Sequence, residues 1–373
     1  MDSRQRKSCK GLRSLKISKT DYAVKPGETI AETIESLGMT KKEFARRLDT
    51  TEQTLMRLLS AEQPITVDTA SKLELVTGVK ATFWLRLDAQ YRTDLERIRL
   101  TEEVKNNSEW LKSMPRADLR KRGLLAKTTD GEEYAGVLEF FGVASVSAWE
   151  DIWNRPELAA RKSNCFDTEF HALAAWVRMG ERLAQNLSCE PYNAKAFKGV
   201  LETIKALACK PFSEKLLLEA QAVCAKCGVA LVFVKKLGKV PFNGAARWLS
   251  PDKAMIVLSL RGKSEDKIWF SFFHEASHIL HDGKKLLFIS GDDSESPEEQ
   301  QANRFAAEFL IPEAYDQEIS GYTMPVHCSR LATTLGIPRG IVMGRYAHVT
   351  NDWYRFQKLI PSFSWPDGVW CLS

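Results

Sequence analysis

Along the first hundred residues, apolar positions recur at the three-to-four spacing of amphipathic helices. After Pro26-Gly27, Ile30, Ile34 and Leu37 fall at i, i+4 and i+7, and Gly38 closes the stretch. Thr40 with Glu43 has the form of a capping box, Phe44, Ala45 and Leu48 make an apolar face, and Asp49-Thr50 interrupts it before Thr51 to Leu59 reads as a third helix. Thr66 to Val76, ended by Gly78, and an aromatic helix at Phe83-Trp84 complete a five-helix unit. From 96 to 130 the chain is charged and short of large apolar side chains, as expected of a connecting helix and linker. From Glu132 to about Cys227 the helical period returns. Tyr134 to Phe141 precedes Gly142, and Phe170 to Ala184 turns Leu173, Trp176, Val177 and Leu183 inward, with His171 read as a packing or surface residue.

The period then changes to two. Gly228 to Val234 and Ala254 to Leu260 are β-branched apolar strands, the second joined through Ser250-Pro251-Asp252 to Ala245–Leu249, which predicts a small antiparallel sheet. Ser264 and the acidic pair Glu265-Asp266 open an aromatic helix that ends near Gly283. Ser296-Pro297-Glu298-Glu299 opens another, which Pro312 stops after Leu310. The expected fold class is α+β and mostly helical. Its expected divisions are a basic tail (1–20), a helical front domain (21–95), a linker helix (96–130), a helical region (131–227), a sheet-and-helix domain (228–320) and a C-terminal helical segment (321–373).

Composition narrows the class. A chain of 373 residues has room for two or three packed units. With 21 Gly and 14 Pro spread along it, collagen-like and low-complexity readings are excluded. No apolar run of about 18 residues exists, and the N-terminus lacks an apolar signal core, so a cytoplasmic protein without membrane contact is expected. The eight cysteines are expected to stay reduced, and Cys224 and Cys227, a lone CxxC, to pack a helix rather than hold a metal. Charge is unevenly spread: residues 1–122 carry 25 Lys+Arg against 18 Asp+Glu, so the basic excess lies in the front third, where a polyanion is a natural partner.

Two short helices across a tight turn form a helix-turn-helix, whose second helix offers its first side chains to the DNA major groove. Glu52, Gln53, Thr54 and Arg57 are therefore the candidate contacts to base edges and phosphates, with Leu55, Leu58 and Leu59 inward. The plain alternative is a small bundle used only for dimerisation. The stretch Lys25–Tyr91, with PGETIAETIESLGMT, FARRL, TLMRLL and ATFWLRLDAQY, resembles the antitoxin-type helix-turn-helix of the HigA family. That resemblance implies a dimeric repressor bound to its own double-stranded operator. Asp49 stands at the turn where the family usually has glycine, and Glu52 where it often has a basic or neutral residue; Asp tolerates a left-handed turn, and a carboxylate can accept from a cytosine amino group.

The sharpest chemistry is His274-Glu275-Ala276-Ser277-His278 on a predicted helix. Histidines at i and i+4 share a helical face and can reach one tetrahedral cation, while the glutamate between them can hold and deprotonate an attacking water. Imidazole suits zinc, and zinc lowers the pKa of its water from 15.7 towards about 7. A third ligand is expected from the following helix, where Glu299 and Asn303 share a face. Gln301 lies about 200° round from Glu299.

The segments IVLSLRGKSEDKIWFSFFHEASHILHDGKK and EEQQANRFAAEFLIP resemble the ImmA/IrrE family of zinc metallopeptidases, and LGIPRGIVMGRYAH the segment that follows when that domain is fused to a HigA-type front. The resemblance implies a gluzincin-like peptidase that cleaves a repressor or other protein partner. Two departures bear on activity: Gln301 where the family usually has glutamate, and Asp282 where it commonly has histidine. His327, His348, Tyr315, Tyr322 and Arg345 remain open as stabilisers of a tetrahedral intermediate.

The resulting expectation is a DNA-binding regulator fused to a zinc endopeptidase, with His274, His278 and Glu299 as ligands, Glu275 as general base, and the Ala245–Leu249 strand holding substrate. The alternative is a non-proteolytic antitoxin-type repressor whose rear half only binds or senses a partner.

Overall fold

The computed structural model describes residues 22–153, 167–238, 242–260, 264–283, 287–291, 296–365 and 371–372; the basic tail of the sequence reading lies outside them. The chain divides into two compact units at Asn107/Ser108.

The first unit contains α1 (Pro26–Ser36), α2 (Lys41–Arg47), α3 (Glu52–Leu59), α4 (Val67–Thr77) and α5 (Ala81–Asn106). Threonine starts three of them. The hydroxyls of Thr40, Thr51 and Thr66 accept from the backbone N–H three residues on, at 3.1–3.2 Å, and so satisfy donors that a helix start leaves open. Glu43 does not complete the capping box, because its carboxylate pairs with Arg47 instead. Asp49 adopts the left-handed conformation at φ 52°, as the turn requires. Ile30, Ile34, Phe44, Leu48, Leu55, Leu58, Leu73 and Trp84 fill the core. Gly27 is needed there, since a Cβ would lie 1.9 Å from the carbonyl oxygen of Leu59. The helix α5 runs unbroken across position 95.

The second unit begins with α6 (Ser108–Ser113), α7 (Arg116–Lys121), α8 (Asp130–Phe141), α9 (Val146–Trp153), α10 (Asp167–Asn186), α11 (Ala194–Ala208) and α12 (Glu214–Ala225). Strands β1 (Val229–Val234), β2 (Phe242–Ser250) and β3 (Lys253–Leu258) follow, then α13 (Glu265–His281), β4 (Leu287–Gly291), α14 (Pro297–Leu310), α15 (Asp316–Ser320), α16 (Pro325–Leu335), α17 (Arg339–Thr350) and β5 (Cys371–Leu372). His171 is a packing residue, stacked at 4.9 Å on Trp149.

The sheet corrects two expectations. It is mixed rather than antiparallel: in the order β4-β2-β3-β1-β5, β1 runs parallel to β3. The β2–β3 hairpin, turned at Pro251-Asp252, lays β3 along β1, which is buried along its whole length and so takes an inner position. Second, Ala245–Arg247 has no open edge, because β3 pairs with one side of it and β4 with the other. A substrate strand cannot be added there. The ladder to β4 went unpredicted because Leu287–Gly291 is too short to display a period.

Alternation along the strands builds three layers. Val229, Leu231, Phe233, Ala246, Ile256 and Leu258 join the core made with α11 to α14. The other face meets α10, where Gly180 lets the helix approach Val257, Trp176 donates its indole N–H to the carbonyl of Val234, and Glu181 pairs with Arg247. Behind the first turn of α13, Gly340 and Gly344 bring α17 against Glu265 and Asp266. The six described cysteines (189, 209, 224, 227, 328, 371) are free thiols, and among the described residues no helix is long and apolar enough to cross a membrane.

Burial, followed by the neighbouring charge of Asp266, pushes the Glu265 carboxyl up to about 7 against the pull of Arg339. A carboxyl raised in the fold is neutral there and ionised in the unfolded chain, so stability is lost as pH rises through about 7. Glu265→Gln is expected to melt higher than wild type at pH 8, by about 3–6 °C, with the difference shrinking towards pH 5. Thermal melts across that range check it.

Candidate functional site

Helix α13 is anchored by Trp269, Phe272 and Phe273, all buried, and ends in the pentapeptide with both histidines on one side. Helix α14 starts at Ser296, whose hydroxyl accepts from the N–H of Glu299, and small buried Ala302 and Ala306 let it lie close to α13. Between the two helices, His274 Nε2 lies 3.1 Å from Glu299 Oε2, His278 Nε2 lies 3.6 Å from Glu299 Oε1, and the two Nε2 atoms are 3.2 Å apart. His274, His278 and Glu299 are all buried. One ligand atom from each lies within 4.8 Å of the others, a group that could hold a metal ion.

The outer faces of the rings decide what the inner faces can do. His274 Nδ1 is 2.9 Å from Asn303 Oδ1, and His278 Nδ1 is 2.6 Å from Asp282 Oδ2. Both contacting atoms are oxygens that accept, so each Nδ1 carries the hydrogen and each neutral ring turns the lone pair of its Nε2 inward. Two inward nitrogens and a carboxylate thus converge in a buried space, an arrangement that a bound cation, or a proton on His274 shared with Glu299, relieves. The residues fit a metal: two imidazoles and one carboxylate are a donor set that zinc takes, with one position left open. In their own electrostatics, burial pulls His274 down, but the bond to Glu299, the Glu275 and Glu299 charges and Asn303 outweigh it, so its pKa is raised. Burial prevails at His278, whose pKa is lowered despite Asp282.

Glu275, between the histidines, is fully buried, 0% exposed. The β2 backbone lies directly over it, and a Cβ on Gly244 would fall 2.4 Å from its Oε1. Sequence reasoning missed Gly244; its one signal is a glycine just ahead of the Ala245–Leu249 strand, where a glycine marks close backbone approach. Asp282, the departure from the family pattern that follows the pentapeptide, lies against the ring of His278. Gln301 is exposed and lines a groove with His281, Arg304, Phe305, Glu308 and Phe309, on the side of α14 away from Glu299. Of the residues held open as transition-state stabilisers, Arg345 is engaged by both oxygens of Asp316, Tyr322 by Glu318, and His348 packs against Trp353. His327 packs on Tyr322, and Tyr315 lies against the main core.

In the first unit, α3 presents Glu52, Gln53 and Arg57 to solvent, with Thr54 half-buried and tied to Thr51, while Leu55 and Leu58 are buried. Gln53 and Arg57 share a face at i and i+4. Lys41, Lys42, Arg46 and Arg47 are exposed on the preceding helix.

Comparison with known proteins assigns each unit a relative. Residues 231–345, from β1 to α17, match the peptidase M78 family, described as an IrrE N-terminal-like domain. Residues 30–84, from α1 into α5, match a helix-turn-helix family. An uncharacterised HTH-type transcriptional regulator of Escherichia coli (strain K12), YddM, is 32% identical over 82 residues, covering 20% of this chain and 87% of the relative.

With zinc as the probe ion, Glu299→Ala is expected to weaken binding by orders of magnitude, whereas Gln301→Ala and Glu298→Ala, both exposed positions, stay close to wild type. Chelator competition on the three variants is the check; wild-type affinity in Glu299→Ala would remove α14 from the site.

Proposed function

The chain belongs to the family of HTH-type transcriptional regulators and carries an IrrE-like peptidase domain behind the DNA-binding one, and from that premise we propose a zinc-dependent endopeptidase joined to an operator-binding repressor. The observation that carries the reading is the buried convergence of His274, His278 and Glu299 with Glu275 beside it. His274, His278 and Glu299 would hold the ion. When bound, zinc supplies Lewis-acid polarisation of the scissile carbonyl and acidification of water. Glu275 takes the proton of the attacking water and passes it to the leaving amine nitrogen. Its burial against Gly244 leaves its carboxylate little freedom, which favours one orientation for both transfers. An extended substrate would lie along β4, the strand at the end of the sheet, since both sides of β2 are taken over Ala245–Arg247.

The substrate class is a protein partner, a repressor or a toxin–antitoxin component, as in the ImmA/IrrE and HigA systems that the sequence resembles. In the first unit, Gln53 and Arg57, with Glu52 and Thr54, are the residues assigned to base edges and phosphates of a double-stranded operator. The reading includes a homodimer through this unit, where Val67, Leu75 (86% exposed) and Phe83 are exposed apolar side chains open to a partner. Of the two departures that bear on activity, Gln301 is exposed in a groove and Asp282 contacts a histidine ring, and neither position is at odds with a peptidase; a non-proteolytic repressor is the second reading.

Two outcomes test the reading. Glu275→Gln is expected to retain about one zinc per chain while cleavage of the partner stops, because an amide cannot accept the water's proton; elemental analysis together with incubation with the protein products of neighbouring genes, with and without chelator, measures both. Gln53→Ala with Arg57→Ala is expected to weaken binding to the protein's own promoter in gel shifts, with a shallower salt dependence as phosphate contacts are lost. Equal binding of promoter and random duplex by the wild type would reassign the front unit to protein contacts.

A further inference from the structure

The two imidazoles of the candidate metal centre are not supported alike. His274 leans on a neutral amide, Asn303, whereas His278 leans on a carboxylate, Asp282, at the shorter distance of 2.6 Å against 2.9 Å. Asp282 is also the residue at which α13 ends. Its backbone N–H donates to the carbonyl of His278 at 3.1 Å, and its backbone there is extended, with φ −101° and ψ 163°. A single residue thus grips His278 twice, by its own main chain and through the ring.

Chain-end physics makes this placement informative. The last turn of a helix carries unsatisfied carbonyls and the negative end of its dipole, so an acidic side chain there is disfavoured. Asp282 is nevertheless there, its side chain only 12% exposed, with its carboxylate turned to the histidine. Serving as a helix end does not explain a buried carboxylate at that position; supporting an imidazole does.

We propose that Asp282 is a positioning residue of the metal centre, which fixes His278 in the Nδ1–H tautomer and aims its Nε2 at the ion. The proposal rests on the reading of His274, His278 and Glu299 as metal ligands. A carboxylate has no hydrogen to give, so Nδ1 must donate, and Nε2 is left with its lone pair turned towards His274 and Glu299. The negative charge also adds to that of Glu299 in offsetting a divalent cation. Asn303 supplies the same tautomer to His274 without charge, so its loss is expected to weaken the site less. The histidine that the ImmA/IrrE resemblance leads one to expect at position 282 is replaced here by a stronger acceptor, a gain in support for the ion rather than a loss.

The test uses the full chain, with zinc as the probe. In Asp282→Ala the zinc dissociation constant, measured by chelator competition, is expected to rise about 10–100-fold. Asp282→Asn, which keeps an acceptor and loses the charge, is expected to fall between that variant and wild type, and Asn303→Ala to shift less than Asp282→Ala. A second readout addresses orientation directly. Long-range ¹H–¹⁵N spectra of histidine-labelled, metal-free protein should show the Nδ1–H tautomer for His278 in wild type and Asp282→Asn, and a mixture in Asp282→Ala. If Asp282→Ala does not fold, Asp282→Asn and the wild-type tautomer still decide. Wild-type zinc affinity in Asp282→Ala, or an unchanged tautomer, overturns the proposal, as does an Nε2–H tautomer in the wild type. Failure of the wild type to take up zinc overturns the metal-site reading separately, and the tautomer then reports on the hold of Asp282 alone.

Discussion

The rear unit depends on one constraint: two histidines and two glutamates are buried together where α13 meets α14. Buried ionisable groups are costly unless each is paired or coordinated, and here the ring nitrogens facing outward are satisfied by Asn303 and Asp282 while those facing inward converge with Glu299. The surrounding structure follows from that arrangement. Ala302 and Ala306 keep α14 thin on the facing side, and Trp269, Phe272 and Phe273 fix the rotation of α13. Changing the rotation of either helix by one residue would carry one of these side chains out of the cluster, about 100° round the axis.

The sheet contributes through backbone more than through side chains. Gly244 brings the β2 main chain against Glu275, and the pairing of β2 with both β3 and β4 leaves that backbone little room to retreat. The glutamate is therefore held from two sides, by its own helix and by a strand, on regular elements rather than loops. Placement of this kind suits a group that must accept and return a proton at a fixed point. On the far side of α13, Gly340 and Gly344 seat α17 against the first turn, where burial pushes the Glu265 carboxyl up to about 7.

The front unit is governed by different physics. Its helices are short, and short helices are marginal alone, so caps and a common core must hold them. Thr40, Thr51 and Thr66 supply the caps, Trp84 and Phe44 the core, and Asp49 a left-handed turn that sets α3 off from α2. That arrangement turns Leu55 and Leu58 inward and leaves Gln53 and Arg57 facing solvent.

By itself the sequence determined whatever a local rule can express. Helix starts at threonine and at Ser296-Pro297, ends at Gly78 and Gly142, the hairpin turn at Pro251-Asp252 and the i, i+4 histidines all follow from contacts within a few residues. That Glu299 and Gln301 cannot both face the histidines follows from the helical period, and ligand chemistry, which prefers a carboxylate to an amide, selects Glu299. Only the tertiary structure decided the rest: the parallel β1–β3 ladder, the closing of β2 by β4, the approach of Gly244 to Glu275, and the place of Gln301 in an outer groove. Asp282 falls between the two cases, since its i+4 spacing to His278 was in plain view while its meaning was not. A residue four places from a histidine lies on the same face, but whether its carboxylate faces water or a buried ring depends on the tertiary packing around it, which no local rule expresses.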